Sequence, residues 1–287
     1  MYIHRNFVTA FSIASLFVFS CFALAEPAAP APDFPAAVER VLPSVVRIIG
    51  ESTPEKLEKH MAASLVSFDS KVYSVGSGFF ASSDGKVVTA YHVVAPITGD
   101  IIVKHEVGQK TKEYKGIVAA TDKDADVAIV LIKGKGFPHV ALRDMGKTIR
   151  RGENIGFIGY PLLSPYSLVH KGIISSKVIM PLQEGLKPRL TLVLNAIVNK
   201  GNSGGPLFLG KDGTVIGLVN ARKGHDVEKR KIKLPPNRPR VTTGGIDALA
   251  LSVEMYNANL ELIGEVSQFG IGYALSIEYA IKLLDGL

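Results

Sequence analysis

Between positions 45 and 275 the apolar residues fall in short, Val- and Ile-rich runs, separated by Gly, Asp, Pro and Lys. The runs occupy 45–49, 78–81, 87–89, 101–103, 127–132 and 153–158, then 172–179, 190–193, 206–208, 215–220 and 272–275. Each is long enough for a strand and too short for a packed helix. Many short strands with turn residues between them predict an all-β barrel or sandwich. Helical spacing shows only at the two ends. In 34–42, Phe34, Val38 and Val41 share a face, Asp33 is placed to cap and Pro43 stops the run. In 276–284, Ile277, Ala280, Ile281 and Leu284 share a face, with Gly286 beyond. No stretch repeats at a fixed period.

The first 25 residues carry a different pattern. Arg5 with no acid, an apolar stretch over 7–24 and Ala23-Leu24-Ala25 form the basic, apolar and small-residue regions of a signal peptide. Cleavage is expected before Glu26. A retained membrane anchor and lipidation at Cys21 are the competing readings of the same segment. Residues 26–35, rich in Pro and Ala, read as a tether, which leaves 36–287 for the folded domain. Cys21 is the chain's only cysteine, so neither disulfides nor thiolate zinc sites are expected in the mature protein. No closely spaced His pair suggests a metal, and nothing calls for a cofactor. The net charge of +7 falls by one when Arg5 is removed, a moderate excess that does not by itself imply nucleic acid.

Three segments carry chemistry. In Gly201-Asn202-Ser203-Gly204-Gly205-Pro206-Leu207 a serine sits on a glycine-rich turn ahead of a strand. Glycines permit a tight turn and close approach to main-chain N–H groups, as a nucleophilic serine requires. In Val75-Gly76-Ser77-Gly78-Phe79-Phe80, then Asp84-Gly85, then Thr89-Ala90-Tyr91-His92-Val93-Val94, a hairpin ends in a histidine. In Asp122-Lys123-Asp124-Ala125-Asp126-Val127, only Asp126 directly abuts the apolar run, where a carboxylate can be buried enough to orient an imidazole. Asp124 is the substitute, and turn acids are the ordinary reading of such a cluster.

Together these segments resemble the HtrA/Deg family of trypsin-like serine proteases. Supporting stretches are Gly152-Glu153, Ile158-Gly159-Tyr160-Pro161, Lys171-Gly172-Ile173-Ile174-Ser175 and Gly270-Ile271-Gly272-Tyr273-Ala274-Leu275. The resemblance implies two antiparallel six-stranded β-barrels, over about 44–140 and 150–287, with short helices at the termini and the site between the barrels. It implies His92, Asp126 and Ser203 as a catalytic triad, and Gly201, Asn202 and Ser203 around an oxyanion hole. It also implies polypeptide substrates and an exported, periplasmic or secreted location, and leaves a homotrimer open. Asn202 stands where digestive relatives carry the aspartate that pairs with a new N-terminus, so loop ordering rather than cleavage is the expected switch. Asn195 replaces an aspartate common in HtrA relatives, and the chain leaves no room for a PDZ domain.

The trypsin-like resemblance further implies that Ile197, six residues before the serine, floors the specificity pocket, with Val198 beside it and Gly217-Leu218-Val219 as a wall. No acid stands there to pair with Lys or Arg, so small aliphatic side chains are the expected preference. Residues 222–268 form an insert. Its first part, 222–240, holds eight Lys or Arg against Asp226 and Glu228, which reads either as a solvated basic loop serving solubility or as an arm for an anionic membrane surface or acidic partner. Its second part, around Leu249, Leu251, Val253, Met255, Leu260 and Leu262, is apolar enough to pack as a lid. A peptide-binding pseudoprotease and an esterase using the same triad are the alternative functions.

Overall fold

The computed structural model describes residues 33–53, 55–56, 64–68, 71–162, 164–181, 185–220, 232–239, 242–243, 246–266 and 270–287. The expected signal peptide, most of the expected tether and much of the basic stretch lie outside the described residues.

The described residues open with helix α1 (Phe34–Val41) and a 3₁₀ turn (Leu42–Ser44). Asp33 is the N-cap residue, but its side chain makes no capping bond. Pro35 removes one of the N–H groups such a cap would bind, and the Asp33 carbonyl instead accepts Ala37 N–H at 3.0 Å.

Seven strands follow: β1 (Val45–Ser52), β2 (Ser64–Phe68), β3 (Lys71–Phe80), β4 (Lys86–Ala90), β5 (Ile101–Val107), β6 (Lys110–Asp122) and β7 (Val127–Ile132). Their order is β1-β5-β6-β7-β4-β3, and β1 pairs with β3 from Val45↔Phe79 to Ser52↔Val72, closing a six-stranded barrel. β2 pairs with β3 as an appended seventh strand. Two of the seven, β2 and β6, are absent from the sequence-based expectation. β6 is mostly exposed and carries Lys110, Lys112, Glu113 and Lys115, so no apolar alternation marks it.

The second barrel closes in the order β10-β15-β12-β11-β8-β9. Its strands are β8 (Asn154–Gly159), β9 (Leu168–Met180), β10 (Arg189–Leu194), β11 (Pro206–Leu209), β12 (Val215–Asn220) and β15 (Gly272–Ser276). Both barrels are antiparallel throughout, as expected. Between β12 and β15 lie a two-residue hairpin, β13 (Thr242–Thr243) with β14 (Ile246–Asp247), and a long helix, α3 (Ala248–Val266). A single helical turn, α2 (Tyr91–Val94), follows β4, and α4 (Glu278–Leu284) ends the chain.

The terminal helices cross over. α1, which precedes the first barrel, stacks Phe34 on Phe208 of the second at 6.0 Å, and Arg40 donates to the Asp212 carbonyl at 3.2 Å. α4, which follows the second barrel, buries Ala280 in the first barrel's core, beside Ile277. Each barrel is thus braced by the other's flanking segment, which fixes the cleft between them.

Candidate active site

β4 and β7 are hydrogen-bonded neighbours, and their pairing ends at Ala90↔Val127. The residues just past that pair are His92, on α2, and Asp126. Tyr91 N–H donates to the Asp126 carbonyl at 3.0 Å, extending the ladder one step and bringing the two side chains together. Asp126 is wholly buried and is the one non-glycine residue with positive φ (+50°) among those described. Aspartate tolerates this left-handed conformation better than most residues.

The Asp126 carboxylate is enclosed by donors. Oδ1 accepts His92 N–H at 2.8 Å, while Oδ2 lies 2.6 Å from His92 Nδ1 and 2.7 Å from Asn220 Nδ2. A carboxylate can only accept, so Nδ1 carries a proton, and in the neutral ring Nε2 then keeps its lone pair. Nε2 is buried and makes no hydrogen bond, so the serine–imidazole bond is not formed in this conformation. Such bonds are commonly long or unmade before substrate arrives. Asp122 and Asp124 are engaged elsewhere: Arg189 Nη2 lies 3.2 Å from Asp122 Oδ2 and 3.7 Å from Asp124 Oδ2.

Ser203 precedes β11 on a turn whose bonds run into the β11–β12 ladder. Gly204 N–H donates to the Val219 carbonyl, and Val219 N–H to the Gly205 carbonyl, both at 2.9 Å. A Cβ on Gly204 would stand 2.0 Å from the Ser77 carbonyl, and its φ is +90°, so this position requires glycine. Gly201 likewise has φ +93° and packs against the Tyr160 carbonyl. Ser203 itself is only 3% exposed.

The profile of the trypsin-like peptidase domain matches residues 76–218, which include His92, Asp126 and Ser203. A probable periplasmic serine endoprotease, DegP-like, from Pseudomonas putida is 32% identical over 242 residues, covering 75% of this chain and 48% of the relative. Serine protease HTRA1 of Xenopus tropicalis is 34% identical over 190 residues, 63% of this chain and 36% of that protein. The solved HtrA-type protease AlgW with a tripeptide superposes with a TM-score of 0.57 at 23% identity, covering 88% of this chain and 63% of that one. This chain belongs to the trypsin-like serine peptidases, in their HtrA/DegP branch. It spans about half the length of the DegP-like relative.

Within this HtrA/DegP-like domain, the other expected site residues divide between buried and exposed positions. Asn202 is expected to help line the oxyanion hole, but its side chain is wholly buried. Its Oδ1 would lie 2.8 Å from a Cβ on Gly159, at the end of β8. Of the expected pocket wall, Leu218 packs into the core cluster that runs from the first barrel to β8, β11 and β12, Val219 packs into the second barrel's own core, both are 0% exposed, and Gly217 is buried between them. β12 is buried on both faces, so these side chains are spent on packing. Val198 packs against the second core, while Ile197 is 43% exposed. Asn195 is exposed as well.

Two polar residues escape the sequence reading. Asn220 is 1% exposed and donates to the Asp126 carboxylate from the second barrel. Its signal is an amide ending an otherwise wholly apolar run, Val-Ile-Gly-Leu-Val-Asn. The other is Ser77, buried in the first barrel against the Ser203 turn.

The insert differs from the expected packed lid. α3 exposes Leu249, Leu251, Met255 and Tyr256. Asp247 caps it by accepting Ala250 N–H at 3.1 Å, and that bond, with Arg238 on the other oxygen, holds the Asp247 carboxyl below its ordinary range. Asn257 exchanges two hydrogen bonds with the Ile232 main chain, at 2.9 and 3.0 Å, tying Ile232 to the helix.

Proposed function

We propose that this domain is a serine endopeptidase in which Ser203 attacks the scissile carbonyl. His92 takes the Ser203 proton at Nε2 and returns it to the leaving amine. Asp126 holds the ring in the Nδ1–H tautomer and stabilises the imidazolium. Main-chain N–H groups of Gly201 and Ser203 receive the tetrahedral oxyanion. The observation that carries this reading is the buried His92–Asp126 contact of 2.6 Å, with the unoccupied Nε2 lone pair on the other side of the ring.

The N-terminal pattern and the relatives named periplasmic support export. Unfolded polypeptides cut after small aliphatic residues are the proposed substrates, because Ile197 is the exposed apolar side chain nearest the serine turn in sequence. The basic stretch 222–240 is proposed to hold anionic lipid headgroups or acidic segments of substrate.

Incubation of mature protein with unfolded casein, with and without a serine-directed phosphonate, tests the activity, and mass spectrometry of the fragments tests the preference. Phosphonate-sensitive cleavage after Val, Ala or Ile is expected. Cleavage mainly after Lys or Arg would overturn the specificity, and no cleavage with no phosphonate labelling would overturn the enzyme. Deleting 223–240 should weaken binding to anionic vesicles while short neutral peptides are still cut. Unchanged vesicle binding and salt dependence would reduce the stretch to a solvated loop.

A further inference from the structure

Ser77 lies in β3 of the first barrel, within the Gly-Ser-Gly-Phe run, and is 0% exposed. Every hydrogen-bonding group it owns is engaged. Its N–H donates to the Ser203 carbonyl at 2.8 Å. Its hydroxyl donates to the Gly201 carbonyl at 2.7 Å and accepts Tyr160 N–H at 2.8 Å. Its own carbonyl accepts the Thr89 hydroxyl at 2.7 Å, one strand away in β4.

These bonds bracket the reacting groups. Fixing the Gly201 carbonyl orients the Gly201–Asn202 peptide, and fixing the Ser203 carbonyl orients the Ser203–Gly204 peptide. The Asn202–Ser203 peptide between them carries the Ser203 N–H. The Asn202 side-chain amide is buried without hydrogen-bond partners, and within the turn the Asn202 carbonyl accepts Gly205 N–H at 3.0 Å, so the two Ser77 bonds act on either side of a peptide the turn itself also holds. The same hydroxyl also ties in the start of the loop after β8 through Tyr160.

We propose that Ser77 is a positioning residue that sets the oxyanion hole across the barrel interface, and that its hydroxyl holds the Gly201–Ser203 turn in its transition-state-binding form. The proposal rests on the serine-peptidase reading above. Removing the hydroxyl leaves Gly201 C=O and Tyr160 N–H buried and unpaired, which favours a turn that rotates to find other partners. Substrate binding along the cleft does not use these groups, so the loss falls on the transition state.

The test compares wild type with Ser77→Ala and Ser77→Cys, the latter keeping a weak donor at similar volume. Short peptide ester substrates, a peptide boronic acid that forms a tetrahedral adduct, and thermal melts supply the readouts. For Ser77→Ala, kcat should fall about a hundredfold, in the range of losing one oxyanion donor, with KM little changed. Boronate affinity should fall in parallel, and Ser77→Cys should recover part of both. If Ser77→Ala does not fold, the Ser77→Cys kcat and boronate affinity decide alone, and both must fall together. Wild-type kcat and boronate affinity with a lowered Tm would overturn the proposal and leave the enzyme reading intact. A wild type that neither turns over esters nor reacts with phosphonate would overturn both.

Discussion

The two barrels supply their functional groups by different means. In the first, His92 and Asp126 follow directly from the β4–β7 ladder, so adjacent strands bring them together through local pairing. In the second, Ser203 rides on a turn between Gly201 and Gly204, and two of that turn's carbonyls are held by Ser77 of the first barrel. The base and its orienting acid are therefore products of one sheet, while the nucleophile's geometry depends on docking across an interface. Changes that loosen the interface should disturb the second half of the site before the first.

The largest effect should come from Ser203→Ala, which removes the second barrel's contribution and nothing else. The hydroxyl leaves almost no cavity and the turn's main-chain bonds remain, so Tm should stay at the wild-type value. Turnover should fall on the order of 10⁶-fold. Adding His92→Ala should cost little more, because the groups act as a unit. Steady-state kinetics with a peptide ester would check both, and a Ser203→Ala variant of wild-type rate would remove serine catalysis altogether.

Asp126→Asn attacks the first barrel's half. The carboxylate faces His92 N–H, His92 Nδ1–H and Asn220 Nδ2–H, whereas an amide there has a single acceptor oxygen. The ring must then move its proton to Nε2, and kcat should drop about 10⁴-fold. Asp124 meets Arg189, Lys187 and the Lys187 main chain among the described residues, away from His92, so Asp124→Asn should cut at close to the wild-type rate. Equal losses from the two substitutions would mean that the acid has been misassigned.

The contrast between these two aspartates also shows what the sequence could disclose. Asp126 was legible because it abuts Val127 at the head of a wholly apolar run, and burial of that run carries the carboxylate inside. The barrel strands with apolar residues were legible for the same reason. β6 was not, since its pairing is carried by main-chain bonds while its side chains face water. The apolar run 215–220 announced a strand but not its surroundings: β12 lies between β11 and β15 with both faces covered, so the Leu218 and Val219 side chains are spent on packing. Ser77 and Asn220 act through tertiary contacts 124 and 94 residues away in sequence, which no local pattern records. α3 was missed because its apolar residues do not gather into one face, and it leaves several of them exposed.

Asn220 is the point where the second barrel reaches into the first barrel's half of the site. Asn220→Ala removes one donor to a buried carboxylate, worth about 1.5–3 kcal/mol. Part of this should appear as lost stability and part as a kcat reduced about tenfold. Asn220→Asp is the sharper probe, since it sets a second carboxylate against Asp126 Oδ2. Like charges at that distance favour protonation of the pair and of the neighbouring imidazole. The acid limb of the pH–rate profile should therefore move to higher pH, and an unmoved limb would show that Asn220 only packs.

The smallest effect belongs to the second barrel alone. His170 on β9 stacks on Phe157 at 4.4 Å with rings 11° apart, and its Nε2 is buried without a hydrogen-bond partner. Burial holds its pKa below the ordinary value, so the folded state binds this proton less readily than the unfolded chain does. The stability that follows is fully present above the unfolded pKa of about 6.5. It declines as pH falls through that value and levels off once the pH lies below the folded pKa. His170→Phe keeps the stacked ring and removes the titration, so its urea stability should fall less steeply than wild type on going from about pH 7.5 to 5. Measuring both proteins in a Ser203→Ala background prevents self-digestion from mimicking the loss. Superimposable pH dependences would mean that His170 takes up its proton as easily in the barrel as in water, and that the second barrel carries no acid-sensitive element at this stack.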